Sequence, residues 1–516
     1  MTEGRWLWRE RWASLLLLAL SLGTLIAFWA AHQHNFTISD PSQYGWYAHL
    51  LASREYTAQV HNPSVFAHRL GLLWPVALLY RVFGVTPHTS HLAPLLSGLA
   101  ILFVVWRALP REAALPGLIC ALTCMPLASH TLELFPDLVS AAFAALAILL
   151  VAERLEPSGS RARWAVRGAL AASAWFMAML AKETAWWALP VWAGALLVDA
   201  FRKRGAVLKW FHAPALLCAC LLTGAYLWGC SHYFGDPWAR FHAIQALSGR
   251  HAWSMRNEQR LVARLTMGVL TFLWREYGPL LALLLPGAIV LPARLRIWSF
   301  YAVFTVLAYW FGSASVSSYQ PLPLMARMTL PSVPGMCICG GYFLYWLAER
   351  VSRFLPKLRP AYGAAILSAL LLALMSPRVL DEVRSWRVYE DLAAMRVLKA
   401  ELAQHPQSHH LIVTAEKRTT TFVDWSFGYA PPSNVTVRYA GALSAEDLDE
   451  ADAALILIDP RNRDPNRSPS YERELRALHQ PALFEAGNVA LIRVGDLGLL
   501  QDLPPPAQRR RRRPKH

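Results

Sequence analysis

The most regular feature of the chain is a series of apolar runs, each about as long as a membrane is thick, separated by short polar stretches. Runs such as Ala13–Ala31, Pro136–Ala152 and Ala361–Met375 contain almost no ionisable side chain. An α-helix needs about 20 apolar residues to cross a bilayer. The pattern predicts about 11 spanning helices, near 13–32, 89–108, 112–130, 138–154, 164–181, 184–200, 209–229, 261–287, 290–312, 328–348 and 358–377. The segment 261–287 is either one helix or a broken one.

Composition supports a membrane protein. Of the 516 residues, 55% are hydrophobic and 16% are charged, whereas a soluble domain carries about 25% charged residues. The first run is too long for the core of a cleavable signal and no A-x-A site follows it, so we interpret it as a retained helix. The fold class we predict is a polytopic α-helical membrane protein with a C-terminal extracytoplasmic α/β domain.

The charges indicate how the chain is oriented. The net charge is +16, much of it in short loops between apolar runs, so orientation explains it better than a nucleic-acid partner does. One set of alternating polar segments is richer in Lys and Arg, and cytoplasmic loops carry that excess. This set comprises Arg5–Arg11, Arg107–Arg111, Arg154–Arg167, Arg202–Lys209, Arg294–Arg296 and Arg350–Arg359. The opposite segments, and everything after about Ser376, are therefore predicted to face outward.

The C-terminal part has a soluble pattern. It predicts a charged helix (Asp381–Ala403), strands at His410–Ala415, Ala454–Asp459 and Val489–Val494, and a helix at Tyr471–His479, which together indicate a small α/β domain with a central sheet. The tail Asp502–His516, rich in Pro and Arg, is expected to be disordered. We therefore divide the chain into a transmembrane domain (1–379, with a first outer loop at 33–88), a soluble domain (380–498) and a basic tail (499–516).

The first outer loop carries a candidate acid. The sequence from Asp40 through Tyr44 to Tyr56 has apolar and aromatic residues at helical spacing, which predicts an amphipathic helix headed by Asp40. A carboxylate at the end of the first span, in aromatic surroundings that exclude water, is suited to act as a general base. The alternative is that Asp40 caps the following helix. The apolar stretch Ala67–Gly84, which contains Arg69, is interpreted as interfacial or re-entrant.

Three further outward segments carry unusual charges. Asp137 opens the fourth span and is either a second functional acid or an ordinary helix-start residue. Lys182 and Glu183 interrupt two apolar runs. A charged pair there costs free energy unless it lines a polar cavity or lies at the membrane interface, and a cation at that depth is suited to binding a phosphate. Arg327 precedes the tenth span and is either a phosphate ligand or an interfacial arginine.

Metal and disulfide chemistry receive no support from the sequence. All seven cysteines lie in or beside apolar segments, so no disulfide framework or zinc pattern is available. The histidines His61, His68, His88 and His91 share the early outer region without the i, i+4 spacing of a helical metal site. We expect no cofactor and no metal.

Taken in order, these features resemble the lipid-linked-sugar glycosyltransferases of the GT-C fold. That group includes the protein O-mannosyltransferases and the bacterial transferases that add sugars such as aminoarabinose to lipid A. The resemblance rests on the first helix with Asp40 and Tyr44, the stretch from Arg69 to Gly84, and then on Pro136-Asp137, Lys182-Glu183 and Arg327 to Pro334. It covers about two-thirds of the chain.

The resemblance implies a function and a set of roles. It implies transfer of a sugar from a polyprenyl-phosphate donor to a lipid, glycan or protein acceptor, with inversion, at the outer face of a bacterial cytoplasmic membrane. Asp40 is then the catalytic base and Asp137 a second catalytic acid that positions acceptor or base. Lys182, Arg69 and Arg327 are phosphate-binding candidates, and Tyr44 and Glu183 are substrate-binding candidates.

Two rival functions remain. A transporter or flippase of lipid-linked substrates also needs many helices and a few intramembrane charges, but these lie near the bilayer centre. Here the unusual charges are predicted at the outer ends of spans. An O-antigen-ligase-like transferase with a diphosphate-linked donor is the nearer competitor, but such proteins place their large functional loop late in the chain.

Overall fold

The computed structural model describes sixteen segments of the chain, with gaps between them. They are residues 2–32, 40–57, 64–155, 160–251, 262, 265–313, 322, 324–355, 357–385, 390–414, 417–439, 442–458, 482–486, 489–494, 497 and 500. The predicted helix at Tyr471–His479 and the predicted disordered tail from residue 501 onward lie outside the described residues.

Most of the described chain is helical. The helices are α1 (Thr2–His32), α2 (Asp40–Ser53), α3 (Leu70–Phe83), α4 (Pro87–Ala108), α5 (Arg111–Leu122), α6 (Met125–His130), α7 (Pro136–Ala152), α8 (Arg161–Ala181), α9 (Ala188–Phe201), α10 (Gly205–Val207), α11 (Ala213–Phe234), α12 (Ala239–His251), α13 (Met267–Tyr277), α14 (Pro279–Val290), α15 (Arg296–Phe311), α16 (Val333–Phe354), α17 (Pro360–Ser385), α18 (Glu390–Gln404), α19 (Lys417–Ser426) and α20 (Ala445–Asp449). Short 3₁₀ segments at Glu153–Leu155, Glu183–Trp187, Ala293–Leu295 and Ala326–Ser332, and a π-helical turn at Leu208–His212, connect some of them.

All eleven predicted apolar segments contain helices, and the segment 112–130 is interrupted at Thr123–Cys124 between α5 and α6. Six helical stretches are long and apolar enough to cross a membrane, or up to seven if the bent pair α13 and α14 counts as one. The six are Trp12–His32, Pro87–Ala108, Arg161–Ala181, Glu183–Phe201, Gly205–Phe234 and Pro360–Val379. The remaining four predicted spans correspond to helices that are shorter, interrupted or less apolar, so their crossing of a membrane stays a prediction.

The break considered in segment 261–287 is present. Helices α13 and α14 meet at an angle of 104°. Gly278 stands at the break with φ of +51°, in the half of backbone space that L-residues rarely occupy and glycine tolerates. The segment is therefore a bent pair and not one straight helix.

The chain divides into two compact units. The first comprises Met1–Gln33, Glu55–Val76 and His91–Ser385, and the second comprises His34–Arg54, Ala77–Ser90 and Trp386–His516. In the first unit the alanine-rich helix α7 is almost wholly buried and packs against α8. Close packing of small residues also joins α5 and α16, since a Cβ on Gly341 would lie 2.4 Å from the Cα of Gly117.

The second unit contains a five-stranded sheet. Its strands are β1 (His410–Thr414), β2 (Val435–Tyr439), β3 (Ala453–Ile458), β4 (Ala482–Ala486) and β5 (Val489–Val494). Their order is β2-β1-β3-β5-β4, with β1 parallel to β2 and β3, and β5 antiparallel to β3 and β4. The three predicted strands are the three central ones. Alternate residues of these strands, such as Leu411, Val413 and Ile456, form the core beside the sheet.

Candidate functional site

A break between two apolar helices places Lys182 and Glu183. Helix α8 ends at Ala181, and Lys182 then adopts an extended conformation (φ −154°, ψ 152°) before the 3₁₀ turn Glu183–Trp187 begins. The indole Nε1 of Trp175 donates to the carbonyl oxygen of Ala185 over 3.2 Å and ties this turn to α8. Lys182 therefore lies between two candidate spans, Glu183 is the first residue of the second, and both residues lie outside the regular helices.

Lys182 pairs with Asp137. The ammonium group of Lys182 donates to Oδ1 of Asp137 at the start of α7, and the two residues are 5% and 2% exposed. The Lys182 Nζ atom also lies 3.1 Å from Sδ of Met328. Taking both charges out of water costs several kcal/mol per ion, which only close pairing offsets. The structure thus brings together two residues that the sequence singled out separately.

Glu183 is shared by two arginines. Its Oε2 accepts from Nη2 of Arg69 over 3.1 Å, just before α3 begins. Its Oε1 accepts from Nη2 and Nε of Arg240 in α12, over 2.9 and 3.3 Å. Three segments far apart in sequence therefore meet at one carboxylate.

Arg327 lies over an aromatic ring beside the same group. Its guanidinium carbon is 4.3 Å from the ring centre of Phe135, a distance at which a cation is attracted to the ring face. Arg327 and Arg69 are both close enough to Lys182 to interact with it electrostatically. Glu133 interacts in the same way with Arg327 and Asp137, and burial raises the pKa of the Glu133 carboxyl above its ordinary value.

Two uncharged polar groups border these charges. His68 is 2% exposed and its ring contacts that of Phe234 in a tilted arrangement, with ring centres 4.6 Å apart. Burial and the nearby Arg240 lower the pKa of His68 to about 4, so its imidazole is neutral near neutral pH. Its Nε2 and the Oγ1 of Thr184 are buried and find no hydrogen-bond partner among the described residues.

We name this group of seven side chains the outer charge cluster, after the face at which the sequence predicts it. It holds four cations and three carboxylates, all in the first unit: Arg69, Glu133, Asp137, Lys182, Glu183, Arg240 and Arg327. Each belongs to a turn or a helix end. The structure thus brings together five of the predicted site residues.

The other two predicted site residues, Asp40 and Tyr44, belong to the second unit. Asp40 is the first residue of α2, and Tyr44 is 3% exposed in the same helix. The helix packs against α19 and the turn after it, where the ring of Tyr429 stacks on His49 with centres 4.7 Å apart. The predicted helix after Asp40 is confirmed, and the catalytic role of Asp40 and the binding role of Tyr44 stay predictions.

A second buried group of charges occupies the opposite ends of the same helices. Asp199 is fully buried in α9. Its carboxylate accepts hydrogen bonds from Nε of Arg154 over 2.5 Å and from Nη1 of Arg204 over 3.0 Å, and it lies 3.0 Å from Nε2 of His212. The backbone forms a π-helical turn at Leu208–His212. We name Arg154, Asp199, Arg204 and His212 the inner charge cluster. It was not predicted.

Sequence reasoning also missed three members or neighbours of the outer charge cluster. Arg240 lies in a long polar outer segment with no motif around it, and only the folded chain brings it to Glu183. Glu133 precedes Asp137 by four residues in a segment from which only Asp137 was chosen. His68 was noticed only as one of several scattered histidines. Within the described residues, no three His, Cys, Asp or Glu side chains are grouped so that they could hold a metal ion.

Comparison with solved structures gives the fold. The structure of ArnT from Cupriavidus metallidurans bound to undecaprenyl phosphate matches with a TM-score of 0.58 and 13% identity, over 96% of this chain and 99% of that chain. ArnT in the apo state matches with a TM-score of 0.57, 13% identity and the same coverage. An oligosaccharyltransferase from Archaeoglobus fulgidus reaches 0.49 at 11% identity, over 89% of this chain and 69% of that chain, which is too weak to carry an argument.

No family model matches the sequence, and no curated protein matches it. The likeness to ArnT spans nearly the full length of both chains, and at 13% identity it shows the fold alone. The predicted fold is confirmed as that of ArnT, and with it a multi-pass membrane protein that carries several apolar helices.

Proposed function

We propose that this chain is a membrane glycosyltransferase of the GT-C type. It moves a sugar from a polyprenyl-phosphate donor to a lipid, glycan or protein acceptor on the outer face of a bacterial cytoplasmic membrane. The donor lies in the lipid, so its sugar emerges only at the membrane face. The proposal places residues 380–498 outside the cytoplasm, in agreement with the charge pattern of the loops.

The observation that carries this proposal is the outer charge cluster in a chain with the fold of ArnT. Four cations and three carboxylates lie together at helix ends and turns. The structure of ArnT that matches 96% of this chain contains bound undecaprenyl phosphate. A phosphate in a partly dehydrated site needs charge-assisted hydrogen bonds, which are about twice as strong as neutral ones. The cluster offers such donors.

In the proposed reaction, Lys182 binds the phosphate that leaves. The acceptor hydroxyl oxygen attacks C1 of the sugar from the side opposite the phosphate, the C1–O bond to phosphate breaks, and its electron pair stays on the phosphate oxygen. Lys182, with Arg69 and Arg327, stabilises that negative charge. One displacement of this kind inverts the configuration at C1.

The carboxylates take the remaining roles. Asp40 receives the proton of the acceptor hydroxyl as general base. Asp137 orients Lys182 through their ion pair, and Glu183 holds Arg69 and Arg240 at fixed positions. Tyr44 is proposed to contact the substrate.

A transfer assay tests the proposal. Membranes that contain the protein are supplied with labelled polyprenyl-phosphate sugars, and transfer is compared for the wild type, Asp40→Asn and Lys182→Ala, with Asp449→Asn and Lys357→Ala as exposed controls. We expect both site variants to lose transfer by about 10²-fold or more at unchanged membrane insertion, and both controls to keep it. Unchanged transfer in the two site variants would contradict the assignment of Asp40 and Lys182 to the active site. An absence of transfer by the wild type from any donor would contradict the proposed function.

A further inference from the structure

The second unit contains a cavity whose lining includes no residue that the proposed reaction uses. Its volume is about 190 Å³. Its lining comes from the turn between α3 and α4, from α18 and from the end of α19: Val85, Pro87, Met395, Arg396, Lys399, Trp425 and Ser426. Apolar groups line most of it, and the two cations stand about one turn apart on α18.

The cations of this cavity lack acidic partners. Among the described residues, neither Arg396 nor Lys399 has a carboxylate within ion-pair distance. The ammonium group of Lys399 donates to the carbonyl oxygen of Ser426 and lies 5.0 Å from the ring centre of Phe427. Since an ammonium group has three N–H donors, two remain for a ligand. Burial lowers the pKa of Lys399, and no carboxylate opposes that effect.

A chain of hydrogen bonds fixes Trp425 in the wall of the cavity. The indole Nε1 of Trp425 donates to Oγ of Ser90 over 3.1 Å, and the Tyr80 hydroxyl lies 2.7 Å from the same oxygen. All three side chains are buried. The end of α3, the start of α4 and α19 are therefore fixed relative to one another, and a ligand would meet a preformed site.

Apolar side chains suited to contact lipid chains are exposed shortly before the cavity-lining Val85 in the chain. The end of α3, directly before Val85, exposes Leu78, Val82 and Phe83 by 63 to 64%. The candidate span Pro87–Ala108 begins directly after it. In a membrane protein, apolar side chains exposed at the start of a span contact acyl chains. The volume is below the roughly 300 Å³ of the smallest drug-sized pockets, so a headgroup fits and a whole lipid does not.

We infer that this cavity binds the anionic headgroup of a membrane lipid, whose acyl chains lie along the exposed face at the end of α3. Arg396 and Lys399 bind the phosphate of the headgroup, and Trp425 and Met395 contact its apolar part. The cavity shares no lining residue with the proposed donor site, and its occupation does not depend on sugar transfer.

Lipid binding to the purified full chain tests the inference. Retained lipid is counted by native mass spectrometry after incubation with phosphatidylglycerol or phosphatidylcholine. The variants are Arg396→Gln/Lys399→Gln, the charge-preserving Arg396→Lys/Lys399→Arg, and Lys357→Gln/Arg359→Gln as a control with two exposed cations. A Lys or Arg near anionic lipid contributes about 1 kcal/mol, so the neutral variant, which lacks two cations, should bind phosphatidylglycerol about thirtyfold more weakly. The charge-preserving and control variants should stay near wild type.

A second measurement needs no variant. A photoactivatable phosphatidylglycerol should label the wild type within α18 and α19, and labelling confined to other segments would overturn the inference. Equal retention of phosphatidylglycerol by the wild type and the neutral variant would also overturn it, since it would indicate bulk lipid only. Displacement of the lipid by equimolar inorganic phosphate would also overturn the inference, since the cavity would then prefer a free anion to a lipid headgroup. Neither experiment measures sugar transfer, so the lipid-binding result does not depend on whether the protein transfers a sugar.

Discussion

The two charge clusters of the first unit are built on opposite ends of the same helices, yet they differ in how their charges are paired. In the inner charge cluster, Arg154, Arg204 and His212 all converge on the one fully buried carboxylate of Asp199. In the outer charge cluster, the cations are spread over several partners, namely Asp137, Glu183 and the ring of Phe135.

This difference in charge pairing indicates that the two clusters have different roles. A single carboxylate that collects every nearby cation fixes the ends of helices α7, α9 and α11 and leaves that acid no capacity for a ligand. In the outer charge cluster the cations are divided among several carboxylates and an aromatic ring, an arrangement that we propose accommodates a phosphate oxygen as a further partner. We therefore expect substitutions in the inner charge cluster to change stability and substitutions in the outer charge cluster to change transfer.

The largest expected effect is on stability, from Arg154→Ala. Removing one partner from a buried ion pair costs about 3–5 kcal/mol because the other charge remains buried. Thermal unfolding of the purified protein should show this loss, and Arg353→Ala, which breaks an exposed i,i+4 pair with Glu349, should leave the unfolding temperature near that of the wild type. A stable Arg154→Ala protein would show that the inner charge cluster does not hold these helices together.

The next effect is on transfer, from the double variant Asp137→Asn/Lys182→Met. Both charges of a buried pair are removed together, which often leaves stability nearly unchanged. Losing the cation that stabilises the leaving phosphate should lower kcat/KM by about 10²–10³-fold. The matched double variant Arg154→Met/Asp199→Asn should keep the kcat/KM of whatever protein remains folded. Equal losses of kcat/KM in the two doubles would remove the distinction between the clusters.

A smaller effect is expected from Gly71→Ala, which tests how Arg69 is positioned. A Cβ at this position would lie 2.4 Å from the backbone nitrogen of Ala181 and 2.5 Å from the carbonyl oxygen of Met177. Helix α3 would have to move away from the end of α8, and Arg69 would move away from Glu183. Overpacking of this kind costs about 1–3 kcal/mol.

Its control is Gly224→Ala in α11, because nothing lies within 4 Å of a Cβ there. Thermal unfolding and donor KM are measured for both variants. Gly71→Ala should lower the unfolding temperature and raise the donor KM, whereas Gly224→Ala should change neither by much. Identical behaviour of the two variants would mean that the approach of α3 to α8 does not position Arg69.

The sequence was sufficient to predict the features that depend on local pattern. Apolar runs identified the helices, and the rarity of charge between two such runs drew attention to Lys182 and Glu183. Strands β1, β3 and β5 were predicted because they are apolar and central. The edge strands β2 and β4 were missed, since an edge strand is short and partly polar and gives a weak signal.

Features that depend on tertiary packing could not be predicted. Arg240 and Glu183 are 57 residues apart, and no periodicity links them. Asp199, Arg154 and His212 resemble ordinary residues at the ends of helices, and only folding turns them into one buried cluster. The same holds for the cavity of the second unit, whose lining comes from three segments.

The most direct test of the central claim is the affinity of the purified full chain for undecaprenyl phosphate, compared with that of Asp137→Asn/Lys182→Met and of the exposed control Lys357→Gln. A charge-assisted hydrogen bond contributes about 1.5–3 kcal/mol, so we predict that the double variant binds at least about tenfold more weakly while the control binds like the wild type. Equal affinity of the double variant and the wild type, or no binding by the wild type, would contradict the assignment of the outer charge cluster as the site of the donor phosphate.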